Sequence, residues 1–92
     1  MCTIKMIDLM QNKTYPAAGL ALFNAMAECM DRGENINVDL SGVEVLPSML
    51  LNMSIGKYIE TYGYTELQKK LSFSFITKSQ SERIKNYIAK YL

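Results

Sequence analysis

The chain has 92 residues, 49% of them apolar and 21% charged, and a net charge of +1. This suffices for one compact domain, residues 1–92, and is too little for two. No uninterrupted apolar run approaches the ~20 residues that cross a bilayer, and the start, MCTIKMID, lacks the basic stretch and apolar block of a secretory signal, so a soluble, cytoplasmic protein without membrane contact is expected.

Charge is unevenly spread: residues 1–46 carry three bases against six acids, net −3, and residues 47–92 carry seven bases against three acids, net +4. The basic residues of the second half stand singly or in one pair and do not interleave with aromatics, which argues against nucleic acid as a partner. Cys2 and Cys29 show no CxxC spacing, and the chain contains no histidine. No zinc site is expected on that ground, and the expectation is two reduced thiols, Cys29 serving as a small core residue.

In chain order, TIKMIDLM (Thr3 to Met10) alternates imperfectly and reads as a strand. Thr14, Tyr15 and Pro16 open a helix that runs to Asp31, because proline is tolerated in the first turn. Gly19, Phe23, Met26 and Met30 form its buried stripe, with Leu22 and Cys29 beside it. Gly19 costs roughly 1 kcal/mol against alanine in a helix, so a close backbone approach is expected there. Gly33 fits the left-handed position after the helix.

NINVDL (Asn35 to Leu40) alternates Ile36, Val38 and Leu40 as a strand in the middle of a sheet, and Ser41 and Gly42 turn the chain. Pro47 to Tyr62 reads as a second helix with Leu51, Ile55, Tyr58, Ile59 and Tyr62 on its core face. Met49, Leu50 and Met53 fall partly off that face and leave the helix start apolar over more of its circumference than a surface helix needs. Ser48, at that start, suits a helix cap. YTELQKKL forms a short helix capped by Thr65, SFSFI a short strand with Phe73 and Phe75 on one side, and Ser79-Gln80-Ser81-Glu82 a capping box that starts the last helix. Ile84, Tyr87, Ile88 and Tyr91 are its buried stripe. Strands alternating with helices imply an α/β fold, with a mainly parallel or mixed sheet of three to four strands and helices packed on it.

Without histidine, Ser-His and Cys-His nucleophile pairs are excluded within the chain. Asp39 and Glu44 flank the turn after the second strand and read as surface charges bordering a loop. No phosphate-binding glycine motif occurs. No catalytic residue, metal or cofactor is expected, and no enzymatic activity.

The run VDLSGVEVLPSMLLNMSIGKYIE, followed by LQKKLSFSFI and IKNYIAKYL, resembles the STAS-like domains of unknown function, small relatives of the bacterial anti-sigma-factor antagonists. In those antagonists the loop after the central strand carries an Asp-Ser-Ser-Gly motif whose serine a partner kinase phosphorylates. Laid on this chain, the motif falls on Pro47, Ser48, Met49 and Leu50, and Ser48 is the matching position. The resemblance implies a regulatory, non-enzymatic interaction domain that serves in partner switching, with Ser48 the candidate phosphorylation site and a kinase-like anti-sigma factor or histidine-kinase-type ATPase as partner. The expected contact surface is Ser41, Gly42, Glu44, Pro47, Met49, Leu50 and Met53. The alternative is a structural homo-oligomer, such as a homodimer, that buries the apolar start of the second helix. Some STAS relatives bind nucleotides or small molecules, but no residue signature for a ligand is present.

Overall fold

Ile36, Val38 and Leu40 are buried to 2% exposure or less, and the strand they define lies at the centre of the molecule. In a computed structural model that describes residues 1–92, β2 (Ile36–Asp39) sits between β1 (Cys2–Lys5) and β3 (Leu71–Ser74). Both pairings are parallel, so the sheet is the α/β arrangement expected, in its three-stranded form.

The register aligns Cys2 with Ile36 and Leu71, and Ile4 with Val38 and Phe73. These residues form one apolar face. The intervening rows, Thr3-Asn37-Ser72 and Lys5-Asp39-Ser74, form a polar face that is exposed or half-exposed. Sequential parallel strands joined by right-handed crossovers carry their helices on the same side, and the one-sided burial follows. On the open face Asn37 Nδ2 donates to Ser74 Oγ at 3.0 Å, tying β2 to β3.

The segment read as a long first strand splits. Pairing ends at Lys5 opposite Asp39, where β2 ends. Beyond that point the backbone has no neighbouring strand, and it satisfies its hydrogen bonds locally in α1 (Met6–Met10), with Met6 buried beneath it.

Helix α2 (Tyr15–Asp31) begins as the sequence predicts, with Thr14 Oγ1 accepting from Ala17 N, and ends before Gly33 at φ 70°. It buries Ala18, Leu22, Phe23, Met26 and Cys29. Gly19 marks the close approach expected of it: a Cβ there would collide with the Leu50 carbonyl oxygen and lie 2.9 Å from Met53 Cβ. The expected free thiols are corrected, because Cys2 and Cys29 are joined in a disulfide with their Cα atoms 6.0 Å apart. The parallel register carries Cys2 to the end of the sheet where α2 terminates, a proximity that a separation of 27 residues does not reveal.

Residues 48–62 are helical throughout but not uniformly α. α3 (Ser48–Leu51) widens into a π-helical turn (Asn52–Gly56) and returns to α-geometry in α4 (Lys57–Tyr62). The last helix meets this turn through two tyrosines. Tyr87 Oη donates to Asn52 Oδ1 at 2.6 Å and lies 3.1 Å from Tyr91 Oη. With the Tyr87 proton committed to Asn52, Tyr91 is the donor in the second bond. Both hydroxyls occupy the space that a side chain at Gly56 would take.

α5 (Tyr64–Lys70) starts from Gly63 at φ 93°, without the Thr65 cap that was expected. α6 (Lys78–Ala89) starts two residues earlier than the Ser79 box implied. Thr77 Oγ1 accepts from Gln80 N at 3.1 Å, and Gln80 Oε1 accepts from Thr77 N at 3.0 Å. Gln80 is buried and also serves the loop described below, whereas Ser79 and Glu82 are exposed. The Thr77 register therefore satisfies more buried polar groups.

Candidate functional site

Parallel strands end at a common edge of the sheet, where open α/β sheets carry their binding sites. Here that edge holds the loop 40–47, the start of α3, and the link from β3 to α6. Leu40 N donates to Ser74 O and Val43 N to Leu40 O, closing a tight turn in which Gly42 takes φ 80°, a conformation open to glycine at little cost. Ser41 N donates to Asp39 Oδ1 at 2.8 Å. That bond, with the Ser41 hydroxyl and the cross-strand Lys5, holds the Asp39 carboxyl below the usual carboxylate range. Asp39 is thereby engaged in the turn, while Glu44 points outward and is exposed.

Val43 and Leu46 anchor the loop in the core, and Val45 stands out at 53% exposure. Two side chains of α6 clamp the same loop through its carbonyls. Gln80 Nε2 donates to Val43 O at 2.6 Å, and Arg83 Nε donates to Leu46 O at 3.2 Å. A shallow hollow of about 300 Å³ lies between the two elements, walled by Glu44, Val45, Pro47, Ser79, Gln80 and Arg83.

Ser48 is not the helix cap. Pro47 occupies that position, its carbonyl accepting from Leu50 N and Leu51 N, and the first turn is left without a side-chain acceptor. Ser48 is already helical and exposed, and its Oγ accepts a 2.8 Å hydrogen bond from Arg83 Nη2. No carboxylate lies within 4.0 Å of Arg83. Its charge is met only by a carbonyl and a hydroxyl.

The three apolar residues expected together at the helix start separate. Met49 is 56% exposed, Met53 is half-buried, and Leu50 is buried at 1% beneath α2. The expectation of Leu50 as a surface anchor is therefore corrected: at the close approach of Gly19, Leu50 belongs to the core. Met49 and Met53, with Pro16 and Asn52, border a second hollow of about 170 Å³, and Tyr15 is exposed at the adjoining end of α2.

Two residues of this edge escape sequence reasoning. Arg83 looks like one more solvated base, because only the packing of α6 brings it to Ser48. Phe75 alternates with Phe73 and was expected on the same side of a strand. Instead the strand stops at Ser74, and Phe75 takes φ 53° with 74% of its surface exposed. A bulky residue in the left-handed region costs about 1–3 kcal/mol, and here no burial offsets that cost.

No group of three or more His, Cys, Asp or Glu side chains converges, and no helix is long and apolar enough to cross a membrane. Residues 18–80 match the family model described as a STAS-like domain of unknown function. The chain belongs to this family. The matched region runs from α2 through the loop 40–47 and β3 to the first turn of α6, so it includes Ser48 and Phe75 and stops short of Arg83. No curated protein and no solved structure matches the chain.

Proposed function

We propose that the protein is a non-enzymatic regulatory domain that binds a protein partner through the C-terminal edge of its sheet, with Ser48 as the control point. The observation that carries this reading is the Arg83–Ser48 pair. A guanidinium without a carboxylate partner donates to an exposed hydroxyl at the uncapped start of a helix. A phosphate on Ser48 would add about −1.5 to −2 charges. It would exchange a neutral acceptor for an ionised one, and such hydrogen bonds are roughly twice as strong. The free N–H groups of the first turn favour the same charge.

The contact surface joins Ser41, Gly42, Glu44 and Pro47 of the loop to Met49 and Met53 of the helix start. Val45 and Phe75 extend it. An exposed aromatic held in a costly backbone conformation is retained more readily where it serves contact than where it serves the fold. The partner is of the kinase-like ATPase class that the family resemblance implies, and the cytoplasm is the corresponding compartment.

The experiment is capture of that ATPase, expressed from the gene's neighbourhood, on immobilised protein. Met49→Asp and Phe75→Ser are expected to abolish capture while the melting curve stays that of a folded protein. Ser48→Asp is expected to change capture at least tenfold relative to Ser48→Ala, and Arg83→Ala to erase the difference between them. Capture equal to that of the wild type by all five variants, each folded, overturns the reading.

A second reading rests on the apolar hollow between Pro16, Met49 and Met53 with Tyr15 beside it. A second copy of the chain could bury this patch in a two-fold contact. Light scattering on a sizing column decides it: a dimer that Met49→Asp dissociates supports self-association, and a monomer at high concentration removes it.

A further inference from the structure

The disulfide between Cys2 and Cys29 is chemically lopsided. Cys2 opens the edge strand β1 and is partly exposed, whereas Cys29 lies inside the core at 1% exposure. A thiolate attacks a disulfide in line with the S–S bond and expels the far sulfur. Burial of Cys29 closes one direction of approach, so an incoming thiol meets Cys2 Sγ and Cys29 is the leaving group.

The departing sulfur has a stabiliser in place. Arg32, the residue that follows α2, directs Nη2 at Cys2 Sγ, 3.1 Å away, and at Cys29 Sγ, 3.8 Å away. Its Nε donates to Glu34 Oε2 at 2.8 Å, so one guanidinium serves both the carboxylate and the sulfur pair. Glu28 adds a further negative charge near Arg32. A cation beside a thiolate favours its departure, and the two acids moderate the effect.

We propose that Cys2 is a thiol-exchange site that accepts a low-molecular-weight thiol. The thiolate RS⁻ forms a bond to Cys2 Sγ as the Cys2–Cys29 bond breaks, and the electron pair leaves with Cys29 Sγ as a thiolate facing Arg32. A second RS⁻ then attacks the R-bearing sulfur, releasing RSSR and the Cys2 thiolate. In sum two thiols are oxidised to one disulfide and the protein disulfide is reduced by two electrons. The fold tolerates the adduct because Cys2 ends an edge strand, held at its backbone by the bond from Cys2 N to Asn35 O.

The test is incubation of the oxidised native protein with reduced glutathione, acid quenching, and intact-mass and peptide mapping. One glutathione per chain is expected, on Cys2. Arg32→Ala is expected to slow adduct formation about threefold to tenfold, and Glu34→Gln to accelerate it by freeing the guanidinium, with the far-ultraviolet spectrum of both unchanged. Should Arg32→Ala fail to fold, Glu34→Gln and the wild-type mapping still decide. An adduct mapped to Cys29, reaction only after denaturation, or identical rates in folded Arg32→Ala, Glu34→Gln and wild type overturns the proposal.

Discussion

Gly56 shows how one missing side chain can admit a neighbouring helix. The hydroxyls of Tyr87 and Tyr91 rest where its Cβ would be, and the helix widens to π-geometry across that contact. In an exposed helix a glycine-to-alanine change stabilises by roughly 1 kcal/mol. Here Gly56→Ala is expected to destabilise by about 1–3 kcal/mol, the range for an overpacked core, as read by urea unfolding. A gain in stability would separate the π-turn from the tyrosine pair. Tyr87 carries a second expectation. Burial pushes its phenol above the ordinary value. A group whose folded value is raised contributes stability that is complete below about pH 10, where the unfolded phenol titrates, and is lost as pH climbs toward the folded value. Alkaline unfolding should therefore begin above about pH 10, and Tyr87→Phe should flatten that dependence while weakening the protein at neutral pH. Such residue-level effects were only partly legible. Tyr87 stood out as a buried stripe position, but its Asn52 partner lies 35 residues away and periodicity does not pair them.

At the scale of elements, the sequence reads apolar stripes well and helix starts less well. The core faces of α2, of residues 51–59 and of α6 follow from spacing, because a helix buries whichever stripe is apolar. Capping depends on which polar side chains find partners, and that is decided between elements. Ser79 and Thr77 both offer a hydroxyl before α6. Thr77 prevails because its partner Gln80 simultaneously reaches Val43 O on the loop 40–47. Thr77→Ala is accordingly expected to cost about 1 kcal/mol and Gln80→Ala about 2–3 kcal/mol, since it strands a buried carbonyl as well. Ser79→Ala should stay within about 0.5 kcal/mol. Thermal melts of the three variants test the order, and a Ser79 effect equal to that of Thr77 would reverse it. Ser48 follows the same logic: its hydroxyl is taken by Arg83 of α6, not by its own helix.

For the whole molecule, the sheet is helix-covered on one side and polar on the other, and the Cys2–Cys29 bond ties its edge strand to α2. That bond closes a loop with a sequence separation of 27, for which the chain-entropy account gives about 2–4 kcal/mol of stabilisation. Reduction by excess dithiol should lower the unfolding free energy by that amount and leave the far-ultraviolet spectrum intact, because the buried core is assembled from all three strands and the helices independently of the bridge. Loss of the fold on reduction would mean that the bridge, and not the core, holds β1. By itself the sequence determined the α/β class, the central place of Ile36–Asp39, the stripe of each long helix and the turn at Ser41 and Gly42, because all of these follow from local periodicity and backbone preference. Only the tertiary structure decided that Leu50 is core and Met49 surface, that Cys2 meets Cys29, that Phe75 leaves the strand, and that Arg83 reaches Ser48. Each of these is a meeting, or a missed meeting, of residues on different elements, and what brings such residues together is the register of the sheet and the seating of its helices.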